Sequence, residues 1–294
     1  MAKNAFRQTK IIANFDSVRA GGMATVKLPR NIRIHRLDIM YADGTNVMTA
    51  AKCAGIFGQH RLKVGSKEIR VWTPADLQII NATRGLPTSF GGTSGIKALT
   101  LPMFFSNPAT RTSEGEDATA LSAFEKFGVN DLTLEIDINP MDNSQTPAAA
   151  IEPKLYARVE YDYVVPNITG QPFFMYWRRG SFPIAGATQG VYNTIARPSY
   201  YSRIHLKTAN TVKLEVKKNS ETIIQNDSRA EYESDMAFKG QDVVPNVWSI
   251  IGDGTNRIGD IINLDSADTF EIYATTSAAD DIGLLYEEMR ALGV

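Results

Sequence analysis

One unit of sequence occurs twice in this 294-residue chain. Residues 61–85 and 212–240 each open as an alternating strand, with Leu62 and Val64 in the first copy and Val212, Leu214 and Val216 in the second. Each breaks at a polar or glycine-bearing stretch, Gly65-Ser66-Lys67 or Lys217-Lys218-Asn219-Ser220. Each returns as a second strand, carrying Ile69, Val71 and Trp72 or Ile223 and Ile224, and then enters a short helix.

The helix ends make the comparison specific. Thr73 is the N-cap of the first helix, Pro74 sits where a proline is tolerated and Asp76 follows at the capping-box position; Ser228 and Glu231 form the same pattern in the second. Gly85 and Gly240 supply the C-terminal stops, because glycine accepts the left-handed conformation. Ser228 lies as far beyond Thr73 as Gly240 lies beyond Gly85, whereas the Leu62–Leu214 separation is three residues smaller, which predicts a longer turn in the second copy. A unit of this size repeated once at long range implies two similar domains in tandem rather than a solenoid.

The rest of the chain has β character. Ala24, Val26 and Leu28 alternate with polar residues, Ile32, Ile34, Leu37, Ile39 and Tyr41 follow, and Asp43-Gly44 gives a turn. Residues 46–60 are small and glycine-containing and are expected to form a loop, and 118–127 has helical spacing at Leu121, Phe124 and Phe127. Residues 131–139 alternate as a half-buried strand, and 155–165 is a long closing strand. Pro166-Asn167 and Gly170-Gln171-Pro172 mark a boundary, giving domains 1–165 and 166–294. The aromatic run from Phe173 to Trp177 opens the second half as a buried strand. There Arg203-Ile204-His205 echoes Arg33-Ile34-His35, and 282–289 takes the place of the closing strand. Each half offers roughly six to eight short strands, the pattern of a β-sandwich. The fold class is therefore all-β, two tandem β-sandwiches with short helices in the connections, and the expectation is that each is an eight-stranded jelly roll, the form such sandwiches take in viral capsids and lectins.

Composition excludes several functions. A net charge of −1 gives no global attraction to nucleic acid or to an anionic membrane. One cysteine, Cys53, cannot form an intrachain disulfide; among Ala50, Ala51, Ala54 and Gly55 it is a small apolar filler. No stretch approaches a membrane span, residues 1–10 lack a secretory core, and Lys3, Arg7, Lys10 and Arg19 suggest a basic arm. The chain is expected to be made and folded in a cytoplasm. Three histidines, His35, His60 and His205, form no metal-ligand spacing, and neither a phosphate loop nor a nucleophile elbow is present. The acid pairs Asp280-Asp281 and Glu287-Glu288 are taken as solvated faces. The chain is expected to have no catalytic residues and no bound cofactor. Asp-Gly-Thr-Asn occurs at 43–46 and 253–256, which turn formation explains. As metal ligands, Asp253, Asn256 and Asp260 are the better of two incomplete matches to a calcium loop.

Two tandem sandwiches, each with a hairpin and helix, led by 22–29 and 32–41 and closed in the first half by 131–139 and 155–165, resemble the double jelly-roll major capsid proteins of tailless internal-membrane phages, especially the corticovirus-type coat protein. The resemblance covers nearly the whole chain through its architecture and length, with no diagnostic signature. It implies a structural coat protein of the virion, made in a bacterial host's cytoplasm. It also implies homotrimers of pseudo-hexagonal outline that tile an icosahedral shell. The implied partners are the chain itself, other capsid proteins such as a vertex protein, and peripherally an internal viral membrane, with no specific nucleic acid. Calcium is known in the family, but no ligand pattern here transfers. The competing reading is a phage spike, fibre or lectin-like sandwich that binds carbohydrate through Tyr192, Tyr200 and Tyr201.

Overall fold

The fold is seen in a computed structural model that describes residues 7–12, 15–106, 108, 119–166, 173–197, 199–252 and 261–291. The chain forms two units: residues 1–81, 86–175 and 291–294 in the first, 82–85 and 176–290 in the second.

In the first unit, β1 (Gln8–Ile12), β10 (Pro153–Asp162), β3 (Ile32–Asp43), β7 (Leu99–Phe104) and β6 (Phe90–Gly91) lie in that order in one sheet, with β8 (Leu121–Ala123) beside β3. The other layer runs β5 (Lys67–Trp72), β4 (Phe57–Val64), β9 (Leu132–Ile138) and β2 (Met23–Lys27). β9 shows why. Leu132, Leu134, Ile136 and Ile138 are buried, while Thr133, Glu135 and Asp137 are half-buried on the other face. There Lys63 Nζ meets Glu135 at 2.7 Å and Arg61 makes a two-pronged contact with Asp137 at 2.9 and 2.8 Å. Tyr41 on β3 joins the layers: its ring lies 4.8 Å from that of Phe57, and its hydroxyl donates to His60 Nε2 at 2.8 Å, both on β4.

In the second unit, β16 (Val247–Ile251), β13 (Tyr200–Lys207), β19 (Asp280–Ala291) and β11 (Phe173–Ile184) form one layer, with β17 (Ile262–Asn263) beside β13. The other contains β12 (Gln189–Tyr192), β18 (Phe270–Thr276), β14 (Thr211–Lys218) and β15 (Glu221–Asn226). Both layers feed one apolar cluster, including Ile204, Trp248 and Leu284 from the first and Leu214, Val216 and Ile272 from the second.

The repeated hairpins and helices form as their residues dictate. Helix α2 (Pro74–Thr83) has a reciprocal capping box: Asp76 N donates to Thr73 Oγ1 at 3.3 Å and Thr73 N to Asp76 Oδ2 at 2.9 Å. Helix α3 (Arg229–Phe238) is capped by Ser228, but Glu231 reaches back to Asp227 N rather than to the cap's own amide. Gly85 and Gly240 both sit at φ +64°. The longer turn is not found: residues 65–66 and 219–220 each form a two-residue turn between strands of eight and six residues in both copies. Leu62 and Leu214 stand at different places in their strands, and one residue, Asp227, separates β15 from its cap.

Two local expectations fail. Residues 46–60 contain helix α1 (Ala50–Ile56), whose N-cap Thr49 accepts from Lys52 N at 3.2 Å, followed by the start of β4. Residues 120–127 do not form the expected α-helix: β8 pairs with β3 and a 3-10 turn (Glu125–Phe127) stops at Gly128, φ +83°. Leu121, Phe124 and Phe127 are nevertheless all buried, so their spacing recorded burial and not helical period.

Candidate functional site

Each unit buries a polar cluster around a histidine of its Arg-Ile-His strand, and the two clusters match. On β3, His35 sits one turn of the pleat from Arg33. Its Nδ1 lies 2.5 Å from Ser106 Oγ and its Nε2 2.7 Å from Asp162 Oδ2, at the end of the neighbouring strand β10. Arg33 grips the same carboxylate through Nε at 3.1 and 3.2 Å and Nη2 at 2.6 Å. On β13, His205 Nδ1 lies 2.8 Å from Ser249 Oγ, and its Nε2 faces Glu287 on β19 at 3.6 Å. Arg84 Nη2 donates to Glu287 at 2.9 Å, and Arg203 donates to Thr83 O at 2.8 Å. The same residue types therefore occupy the same places: Arg-Ile-His on the inner strand, an acid on the closing strand, and a serine beyond it.

A serine, a histidine and a carboxylate in hydrogen-bonded series have the composition of a hydrolytic triad. Here they cannot serve one. Ser106, His35 and Asp162 are buried to 2%, 1% and 2% exposure, and Asp162 is already saturated by Arg33 and by Val164 N at 2.8 Å. Both serine hydroxyls belong to buried residues among the described part of the chain, Ser106 and Ser249, so the clusters lock strands together.

Burial sets their charge states. It lowers the basicity of His35 and His205 despite their carboxylate partners, and that of His60, whose Nδ1 donates to Gly58 O at 3.0 Å, to about 4. Burial alone would raise Asp162 and Glu287. Contacts from Arg33 and His35 outweigh it at Asp162, and the Arg84 charge and the facing His205 do so at Glu287, which falls to about 2. The three imidazoles are thus neutral in the fold and regain an ordinary value near 6.5 when it opens. The unfolded chain then takes up protons that the fold refuses, so stability is full above pH 6.5 and falls below it. His60 alone removes about 2 kcal/mol by pH 5. The Glu287 share is present above 4.5 and is lost as pH falls towards about 2. Urea midpoints measured from pH 7.5 to 4.5 should decline through this window; a flat profile would contradict neutral buried histidines.

The remaining candidates are not assembled into a site. Cys53 is buried, with its thiol pushed far up by burial, in keeping with a filler role. Asp253, Asn256 and Asp260 lie outside the described residues. Among the described residues no three His, Cys, Asp or Glu side chains gather to hold a metal ion. At the other Asp-Gly-Thr-Asn copy, Asp43 is occupied by Lys52 Nζ at 2.6 Å. Tyr201 is fully buried and donates to Ala196 O at 3.0 Å, and Tyr192 stacks on Phe182 at 5.3 Å, which is sheet packing rather than a sugar platform. Glu287 and Glu288 are 0% and 3% exposed, so the expectation of a solvated acid pair is wrong. The signal for it lay in the Arg-Ile-His echo, since a second Arg and His at a matched inner-strand position call for a second buried acid. No described helix is long and apolar enough to cross a membrane.

Two family models match the chain: the viral coat protein P2 N-terminal domain over residues 9–161 and the viral coat protein P2 C-terminal domain over 176–292. The chain belongs to the viral coat protein P2 family. Among solved structures, the major capsid protein P2 of bacteriophage PM2 is similar over 97% of this chain and 98% of its own, with TM-score 0.79 and 16% identity. A chain of Sulfolobus Turreted Icosahedral Virus is similar over 97% and 91%, with TM-score 0.69 and 13% identity. The PBCV-1 virus capsid is similar over 98% and 95%, with TM-score 0.67 and 8% identity. No curated protein sequence matches. This P2-family protein is a structural coat protein with a double jelly-roll fold, located in the virion capsid; it is not an enzyme, and the carbohydrate-binding reading is not favoured. As a coat protein it self-assembles into the capsid lattice.

Proposed function

We propose that the coat protein assembles as a homotrimer of pseudo-hexagonal outline, and that these capsomers tile an icosahedral shell. The observation that supports this reading is the duplication itself, which extends to the matched His35–Asp162–Ser106 and His205–Glu287–Ser249 clusters. Two similar sandwiches per chain, 1–165 and 166–294, give six similar bodies when three chains gather. Contacts between capsomers need little affinity individually, because many act together across a lattice. Synthesis in a bacterial cytoplasm, contact with a vertex protein and a peripheral touch on an internal viral membrane belong to the same reading. Light scattering on the size-fractionated protein tests it. The expected mass is about three times 32.4 kDa; a stable single chain that binds glycans would defeat it.

The end of helix α3 offers a surface for such lattice contacts, since Phe238 is 92% exposed. Burying an aromatic ring of this kind contributes about 2 kcal/mol per contact. Phe238→Ser should leave the melting temperature unchanged and weaken shell formation, read by turbidity or particle counting; unchanged assembly would remove α3 from the lattice contacts.

A further inference from the structure

The matched clusters align the two units strand by strand. β3 corresponds to β13 through Arg-Ile-His, β10 to β19 through the acid, and the β4–β5 hairpin to the β14–β15 hairpin. β1 flanks β10 on the side away from β3, and β11 flanks β19 on the side away from β13, so β1 corresponds to β11.

Two of these pairs differ sharply in burial. On β5, Ile69, Val71 and Trp72 are buried; on β15, Ile223 is 45% exposed and Ile224 half-buried. On β11, Phe174, Tyr176 and Trp177 are buried; β1 exposes every residue except the half-buried Ile12, with Ile11 at 69%. In the first unit β5 has a neighbour: Arg70 Nε donates at 3.3 Å to Met175 O, on the part of β11 that belongs to that unit. Among the described residues, β15 has a strand on one side only, β14, and β1 likewise has only β10. The chain thus carries a β5-type edge and a β11-type edge that are both open. An open edge is a row of unmade backbone hydrogen bonds and a template for another strand. The two edges also suit each other, since each exposes an isoleucine and their single charges, Lys10 and Glu221, are opposite.

We propose that β15 of one copy takes β1 of the next copy along its free edge, and that three such contacts close the trimer. The proposal rests on the trimeric reading above and names the surfaces that make it. Association through these edges shields the outward amides of 8–12 and 221–226 in both partners. It also buries Ile11 against the neighbouring chain.

Hydrogen exchange on the full-length assembly, with light scattering on the same sample, tests this. The expected result is protection of both segments in the wild-type trimer. In Ile11→Asp and in Ile223→Asp, both at exposed positions and with the fold checked by circular dichroism, protection should be lost in both segments together and association weakened about tenfold or more. A trimer in which both segments exchange freely would overturn the edge pairing and leave the trimer standing. A wild-type protein that remains a single chain at all concentrations would overturn both.

Discussion

Asp162→Ala should destabilise the coat protein by about 3–5 kcal/mol, a large share of the total stability of about 5–15 kcal/mol typical of a folded protein. The carboxylate carries three contacts from Arg33, one from His35 and one from Val164 N. Removing it takes the three-contact carboxylate from a guanidinium at 7% exposure and leaves His35 with one partner fewer. The cost arises from taking a carboxylate away from a buried cation, not from the pair's net contribution, because the attraction between buried charges is largely offset by their desolvation. The double variant Arg33→Met with Asp162→Leu should therefore be much less destabilised than Asp162→Ala alone. Urea unfolding of the single variants and the double variant measures this, and additive losses would show that the pair does not act as a unit.

Trp248→Ala should cost about 3–5 kcal/mol by a different route. Trp248 is 1% exposed on β16, its ring lies 4.8 Å from that of Tyr232 on α3, and the Arg229 guanidinium stacks over it at 5.4 Å. Arg229 also donates to Val247 O at 2.6 Å and Val244 O at 3.0 Å, and Tyr232 Oη accepts from Ser249 N at 2.9 Å. The indole thus fastens the second helix onto its sheet, and truncation leaves a cavity that α3 cannot fill without breaking those bonds. Amide exchange should accelerate first in 229–251. Unchanged exchange there, with a melting temperature near that of the wild type, would refute this role.

The elements whose residues faced one environment were legible in the sequence. β9 alternates because one face meets the core and the other meets water, and the capped helices α2 and α3 announce their ends through Thr73, Ser228, Gly85 and Gly240. Helix α1 was not legible: its seven residues are mostly small, so no apolar stripe marks a period, and only the Thr49 cap distinguishes it from a loop. The β8 segment misled for the opposite reason. Its buried side chains at Leu121, Phe124 and Phe127 imitate a helical face, while backbone pairing to β3 decides the conformation.

The polar clusters were half visible. Arg33-Ile34-His35 and Arg203-Ile204-His205 could be matched by eye, but their acids, Asp162 and Glu287, come from closing strands distant in sequence. Glu287 stands beside another glutamate, as residues on solvated faces often do, and only the fold shows that Arg84 and His205 receive it. The lesson concerns charge in a sandwich core: an acid on a closing strand is interpretable only when its cation, on another strand, is known.

Electron cryo-microscopy of the assembled protein tests the central claim most directly. The account predicts capsomers of three chains with six similar lobes arranged about a pseudo-sixfold axis, tiling a closed shell. Particles built from single chains, or trimers whose lobes do not alternate between first and second units around the axis, would contradict it.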